Sequence, residues 1–305
     1  MYSYRENTDS RVFLIDASIY IFRAWYIYPE TIVDNQNRPI NALYGFLYFL
    51  SDFLTTVNPK HIAIAFDGSI KDNFRKTLYP PYKANRDPAP DELKYQFGLC
   101  QQVASDLGLN CLTSDSFEAD DLIATMAHRY KKMDFGITIL SADKDLAQVM
   151  KDEHDYLWDF ARGDIYDTQG IADKFGVKPH RIPDLLALAG DKVDNIPGAY
   201  GVGVKTAASL LRQFSCLEDI LSNTDKIRHC KIRNSAHITR SINDDLDLIR
   251  IFYKITGLIH MADMNETGSC EWRCPEAMTI EKILVGYNVD NILRSRFSRI
   301  ATTET

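Results

Sequence analysis

With 305 residues, 45% of them hydrophobic and 25% charged, the chain can bury a sizeable core and gives no reason to expect disorder away from its ends. Its 35 Lys and Arg against 42 Asp and Glu leave a net charge of −7, which argues against a nucleic-acid partner on average but not if cations cluster locally. No stretch approaches the roughly 20 apolar residues of a membrane span, the opening MYSYRENTDS lacks an apolar run, and six scattered cysteines lack the paired spacing of a zinc site, so a cytoplasmic protein with reduced thiols is expected.

RVFLID (residues 11–16) reads as a buried strand cut off by an acid, which puts Asp16 at the carboxyl edge of a sheet, where sites form in open α/β sheets. Taken alone, Asp16 fits equally well as the N-cap of the next apolar segment. Residues 41–57 carry apolar side chains at helical spacing, and HIAIAFDG repeats the strand-then-acid arrangement, ending in Asp67. Residues 70–91 then change character. KDNFRKTLYPPYKANRDPAPDE is basic, aromatic and broken by four prolines, so it cannot be a continuous core element. Lys71, Arg75, Lys76, Lys83 and Arg86 interleave with Phe74, Tyr79 and Tyr82, a combination that suits single-stranded nucleic acid and equally a solvated loop.

A helix is expected over 93–107, followed by FEADDLIATMAHRY, an amphipathic helix whose first turn gathers Glu118, Asp120 and Asp121 where the helix dipole favours them. GITIL (136–140) gives a third strand, after which Asp143 and Asp145 would share a face if the chain stayed extended. HDYLWDF reads as a fourth strand, turning through Arg162 and Gly163 into a hairpin. A short apolar helix between Pro183 and Gly190 leads into GDKVDNIPGAYGVGVKTAASLL. There Asp191 and Asp194 would face one cation if they share a helical turn, and Gly201, Gly203 and Lys205 open a helix whose N-terminal N–H groups favour phosphate. The polar sequence after Phe214 reads as helical, and no role is assigned to residues 261–305.

Nine acids thus fall at strand ends or helix starts: Asp16, Asp67, Glu118, Asp120, Asp121, Asp143, Asp145, Asp191 and Asp194. Each alone suits a cap or a surface charge. If their segments converge, only bound cations or raised pKa values make the arrangement tolerable, and an all-oxygen set without a histidine or thiolate group selects Mg2+ or Mn2+. Two such ions would recover four charges, −7 + 4 = −3, and suit hydrolysis of a phosphodiester.

The strings LIDAS, AFDG, YKANR, FEADD, SADKD and GDKVDNIPG, spread from about Arg11 to about Phe214, resemble the 5′-nuclease (flap endonuclease) family, nearest in form to the 5′-nuclease domain of bacterial family A DNA polymerases. The resemblance implies an α/β fold with a mainly parallel sheet over residues 1–169, a helical arch at about 70–91, and a helical subdomain over 170–260 with a helix-turn-helix at 190–214. It implies that Asp16, Asp67, Glu118 and Asp120 hold a first Mg2+ or Mn2+ and that Asp143, Asp145, Asp191 and Asp194 belong to a second, with Asp121 beside both. It further implies that Lys83 and Arg86 approach the scissile phosphate, that Arg75 and Tyr82 contact DNA, that Gly201, Gly203 and Lys205 hold the duplex, and that backbone near Ile196 and Val202 takes K+. Tyr200 departs from the family, in which proline is common at that position.

The expected activity is 5′-3′ exonuclease and 5′-flap endonuclease action on DNA, with RNA–DNA hybrid a further substrate, by a monomer too short to add a polymerase domain. A small ribonuclease of PIN type would lack FRKTLYPPYKANR and GDKVDNIPG. A DNA-binding protein with a decayed site would not keep every acid.

Overall fold

A computed structural model describes residues 8–68 and 72–302, so Lys71 lies outside the described residues. In chain order come β1 (Arg11–Asp16), α1 (Ala17–Ile27), α2 (Asn41–Val57), β2 (His61–Ala65), α3 (Phe74–Leu78), α4 (Asp91–Asp106), β3 (Asn110–Thr113), α5 (Ala119–Lys131), β4 (Gly136–Leu140), β5 (Tyr156–Asp159) and β6 (Asp164–Tyr166). The helical part follows as α6 (Thr168–Phe175), α7 (Ile182–Ala189), α8 (Val204–Leu211), α9 (Leu217–Ser222), α10 (Thr224–Ile227), α11 (Ser235–Asp244) and α12 (Leu246–Thr256). The chain closes with β7 (Asn265–Glu266), α13 (Ala277–Gly286) and α14 (Asn291–Thr302).

The strands form one sheet in the order β6-β5-β4-β1-β2-β3-β7, parallel from β5 to β3 and antiparallel at both edges. All six residues of β1 are buried, as a strand covered on both faces requires. Its side chains divide with period two: Phe13 and Ile15 pack with α1, α2 and α4, while Val12 and Leu14 pack with α5. Strand order reverses at β1, with β2 on one side and β4 on the other, so a crevice opens at their carboxyl ends.

The chain departs from the sequence expectations in several places. β3 went unforeseen, because NCLT is too short and too mixed to show a period. The arch segment contains only the short helix α3 and a series of turns among its described residues. The last residues, which had no assigned role, return to the sheet: β7 pairs with β3, the Trp272 Nε1–H donates to the Leu107 carbonyl at 2.9 Å, and α14 buries Phe297 against α2. Among the described residues no helix is long and apolar enough to cross a membrane.

Candidate active site

Parallel register sets the acids at one edge. Asp16 pairs across from Ala65 in β2, and Ile15 from Leu140 in β4, so Asp67 and Asp143 emerge just past the ends of the neighbouring strands. Seven of the nine expected acids line one open cleft of about 870 Å3, together with Lys83, Arg86 and Lys144; Glu118 and Asp121 do not. Asp16 is both things the sequence allowed. Its Oδ1 accepts from the Ser18 N–H at 3.1 Å as the cap of α1, while Oδ2 accepts from Ser141 Oγ at 2.9 Å within the cleft. Asp67 accepts from Ser18 Oγ at 2.8 Å and from the Ala119 N–H at 2.9 Å, tying the end of β2 to the start of α5.

Crowding of like charge shows in the acidities. Burial, then the Asp67 charge, pushes Asp16 up to about 7. Burial and Asp143 push Asp145 up to about 8, and burial with Asp143 and Asp16 raises Asp120 well above the usual carboxylate range. Asp143 and Asp145 do not stand on an extended chain. Asp143 caps a 3-10 turn over Lys144–Val149 by accepting from the Asp145 N–H at 2.9 Å, because the short side chain satisfies an N–H that the turn leaves open.

The other acids are clamped by cations. Burial opposes ionisation of Glu118, but Lys83 at 2.7 Å and Arg75 hold it down to about 2, with Asn73 and Tyr82 donating further hydrogen bonds. Asp121 was expected beside both metals, yet it is fully buried and bidentate to Arg75 at 2.6 and 2.7 Å. It also closes a capping box with Glu118 at the head of α5. Arg75 and Tyr82, expected to touch DNA, are each only 2% exposed. Arg75 also donates to the carbonyls of Ile255 and Gly257, so it bolts the arch segment to α12.

Asp191 and Asp194 share a tight turn rather than a helix. A bridge between Asp191 and Ile196 closes it, and Asp191 Oδ1 accepts from the Val193 N–H at 2.8 Å. The other Asp191 oxygen accepts from Lys144 Nζ at 2.5 Å, and that ammonium lies 3.2 Å from Asp145, holding Asp191 below the usual range despite burial. Lys144 went unremarked in the sequence, although its place between two acids in SADKD was the available signal. Arg86 binds Asp194 at 2.6 Å and Lys83 stands 3.9 Å from it, while the Lys83 N–H donates to the Asp194 carbonyl; the arch segment is therefore seated on this turn. Burial still leaves Asp194 raised.

Beyond the turn, Gly201 takes φ +80 and Gly203 precedes the first residue of α8, so the chain folds back with both glycines and Lys205 exposed. The Ile196 carbonyl accepts from the Asp191 N–H at 2.7 Å, and Ile196 and Val202 are buried beneath the turn. Among the described residues no group of three or more His, Cys, Asp or Glu side chains is arranged to hold a metal ion as it stands. The acids line an open cleft instead, and the buried Asp145 Oδ1 makes no hydrogen bond, although the Lys144 ammonium lies 3.2 Å away. Such a set fits a hard cation that keeps several waters.

The chain matches the family model for the 5′-3′ exonuclease N-terminal resolvase-like domain over residues 11–176 and that for the 5′-3′ exonuclease C-terminal SAM fold over residues 177–277. It belongs to the 5′-3′ exonuclease family. Among its relatives, the 5′-3′ exonuclease of Aquifex aeolicus is 34% identical over 237 residues, 78% of each chain. DNA polymerase I of Rhizobium leguminosarum is 37% identical over 238 residues, which span 76% of this chain but only 23% of that protein. In three dimensions the family member is similar to T5 5′-exonuclease with divalent metal ions (zinc) bound, with TM-score 0.64, 18% identity and coverage of 95% and 98% of the two chains. It is also similar to the catalytic core of Rad2 in complex with DNA substrate, with TM-score 0.63, 17% identity and coverage of 98% and 94%. These likenesses carry the fold, an α/β sheet domain followed by a helical domain.

Proposed function

We propose that the chain hydrolyses phosphodiester bonds of DNA at or near a 5′ end, as a divalent-metal-dependent 5′-3′ exonuclease that also cuts 5′ flaps. The observation that carries this reading is the cleft itself: seven carboxylates from five separate segments line it, and four of them, Asp16, Asp120, Asp145 and Asp194, resist ionisation through burial and mutual repulsion. Asp16, Asp67 and Asp120 would hold a first Mg2+ or Mn2+ at the sheet edge, with Glu118 beside it once released from Lys83, and Asp143, Asp145, Asp191 and Asp194 would serve a second ion. When bound, such ions activate a water and stabilise the leaving oxygen.

The chain's own residues do the rest. Lys83 and Arg86 stand at the rim, where a phosphate entering the cleft competes with Glu118 and Asp194 for them and draws positive charge toward the scissile group. Ser18 and Ser141 fix the orientation of Asp16 and Asp67 through donated hydrogen bonds. Gly201, Gly203 and Lys205 would hold duplex backbone without reading sequence. A K+ near Ile196 and Val202 would have to share the Ile196 carbonyl with the Asp191 N–H. The remaining parts of the proposal are action as a monomer in the cytoplasm and acceptance of an RNA–DNA hybrid. The test is cleavage of a 5′-flap duplex with and without Mg2+, beside blunt duplex and single strand; no metal-dependent cleavage of any of them would overturn the reading.

A further inference from the structure

One strongly charged region takes no part in the cleft. From Lys226 to Arg240 the sequence KIRHCKIRNSAHITR holds five Lys and Arg, two His and no carboxylate, in a chain of net charge −7. Its buried side chains, Ile227, Ile238 and Thr239, anchor it to the helical core, while all seven basic residues are exposed. Between α10 and α11 the backbone runs through turns and reaches α11 through Asn234 in the left-handed region at φ +57, which presents the intervening side chains outward.

The cations here are unlike those of the cleft. Lys83, Arg86 and Lys144 each rest on a carboxylate at 2.5 to 2.7 Å. Arg228, Lys231, Arg233 and Arg240 form no salt bridge among the described residues, while Lys226 has Asp219 near it and follows Asp225 in the chain. A solvated surface of mixed charge would neutralise itself; this one retains an uncompensated positive potential. It also adjoins the Gly-rich turn. The His237 ring meets the Tyr200 ring edge-on at 5.6 Å, and a side chain at Gly201 would reach His237 at 3.6 Å.

We infer that residues 226–240 form a second phosphate-binding surface for duplex nucleic acid, continuous with the turn that carries Lys205 and extending the grip along the duplex. The stretch itself lacks Phe, Tyr and Trp and offers cations in excess of rings, so a duplex backbone fits it better than a single strand. The inference rests on the proposed function only in taking DNA as the substrate.

The test is the triple variant Arg228→Gln, Lys231→Gln, Arg233→Gln, whose side chains are exposed and unneeded by the core. On a 5′ flap with duplex arms of about 20 bp, the slope of log affinity against log salt should fall by about 2 to 3 units, and affinity in moderate salt by about tenfold or more. Single-strand binding and the single-turnover cleavage rate at saturating protein should stay unchanged, and arms shorter than about 10 bp, one helical turn, should erase the difference from wild type. An unchanged slope on long arms, or an equal loss on single strand, overturns the inference. So does loss of binding to phosphatidylserine vesicles with duplex binding intact, which would assign the surface to a membrane. If the wild-type chain cleaves no DNA but the variant still loses duplex slope, the surface stands and the proposed activity falls.

Discussion

Carboxylates around one cleft are neutralised in two different ways. Asp16, Asp67 and Asp143, at the sheet edge, take hydrogen bonds from Ser18, Ser141 or backbone N–H groups, and with Asp120 they form no salt bridge among the described residues. Glu118, Asp121, Asp191 and Asp194, from the head of α5 and the turn after α7, each carry a Lys or Arg at 2.5 to 2.7 Å. The difference separates two tasks. Within the sheet-edge group, Asp16 and Asp120 are raised by burial and neighbouring carboxylates, so an added cation or a proton relieves them. The clamped group is already satisfied by the protein, so a metal or phosphate there must displace a side chain first.

The sharpest way to break the comparison is Asp120→Asn. As a member of the unclamped group it should lose metal-dependent cleavage by about 10³-fold or more, beyond what loss of one electrostatic donor costs, and substantial cleavage at saturating Mg2+ would remove Asp120 from the site. Its stability should move the other way. The folded carboxyl is raised above its unfolded value, so the stability linked to its proton is present at low pH and lost as pH rises. In chelator at pH 8, Asp120→Asn should therefore melt above wild type, and the gap should close toward pH 4. A gap that does not vary with pH would show that no charge cost was relieved.

The clamped group answers differently. Arg75→Met leaves Asp121 buried and unpaired, and should cost about 3–5 kcal/mol in urea unfolding. Loss of DNA affinity with stability intact would instead return Arg75 to the role its sequence context suggested. Next in size, Lys83→Ala should lower single-turnover cleavage by about 10²- to 10³-fold with little change in duplex affinity. It also removes the largest charge holding Glu118 near 2, so the Glu118 pKa should rise as burial is opposed by Arg75 and the remaining hydrogen bonds alone. An unchanged chemical rate with weakened binding would make Lys83 a docking residue.

Most of the framework was legible because it rests on strong local periodicity. α2 over 41–57 and β4 over 136–140 sit where apolar spacing put them, and the acids at strand ends follow from core strands that cannot bury a charge. What was not legible depends on partners distant in sequence. Nothing near Arg75 announces Asp121, 46 residues on, or the carbonyls of Ile255 and Gly257, so a buried strut read as an exposed contact. Asp191 and Asp194 at i,i+3 fit a helical turn equally well until the Asp191–Ile196 bridge selects a tight turn. The return of residues 261–302 to the sheet likewise turns on pairing of β7 with β3, which two residues of strand cannot signal.

The smallest effect tests whether the comparison extends past the cleft. Lys205 is exposed at the head of α8, without an ion pair among the described residues, and so resembles the unclamped acids in being satisfied only by an outside charge. Backbone N–H groups at the start of α8 favour an anion at the same place. Lys205→Ala should weaken every duplex-containing substrate alike and lower the salt slope by about one unit, since about one fewer counterion is released. Asp194→Asn, on the clamped side, should spare that binding and lose cleavage. A salt titration of both variants on a 5′-flap duplex and on single strand separates the two. If Lys205→Ala weakens single strand as much as duplex, or leaves the slope unchanged, the turn grips no duplex and the division between cleavage and grip does not run between Asp194 and Lys205.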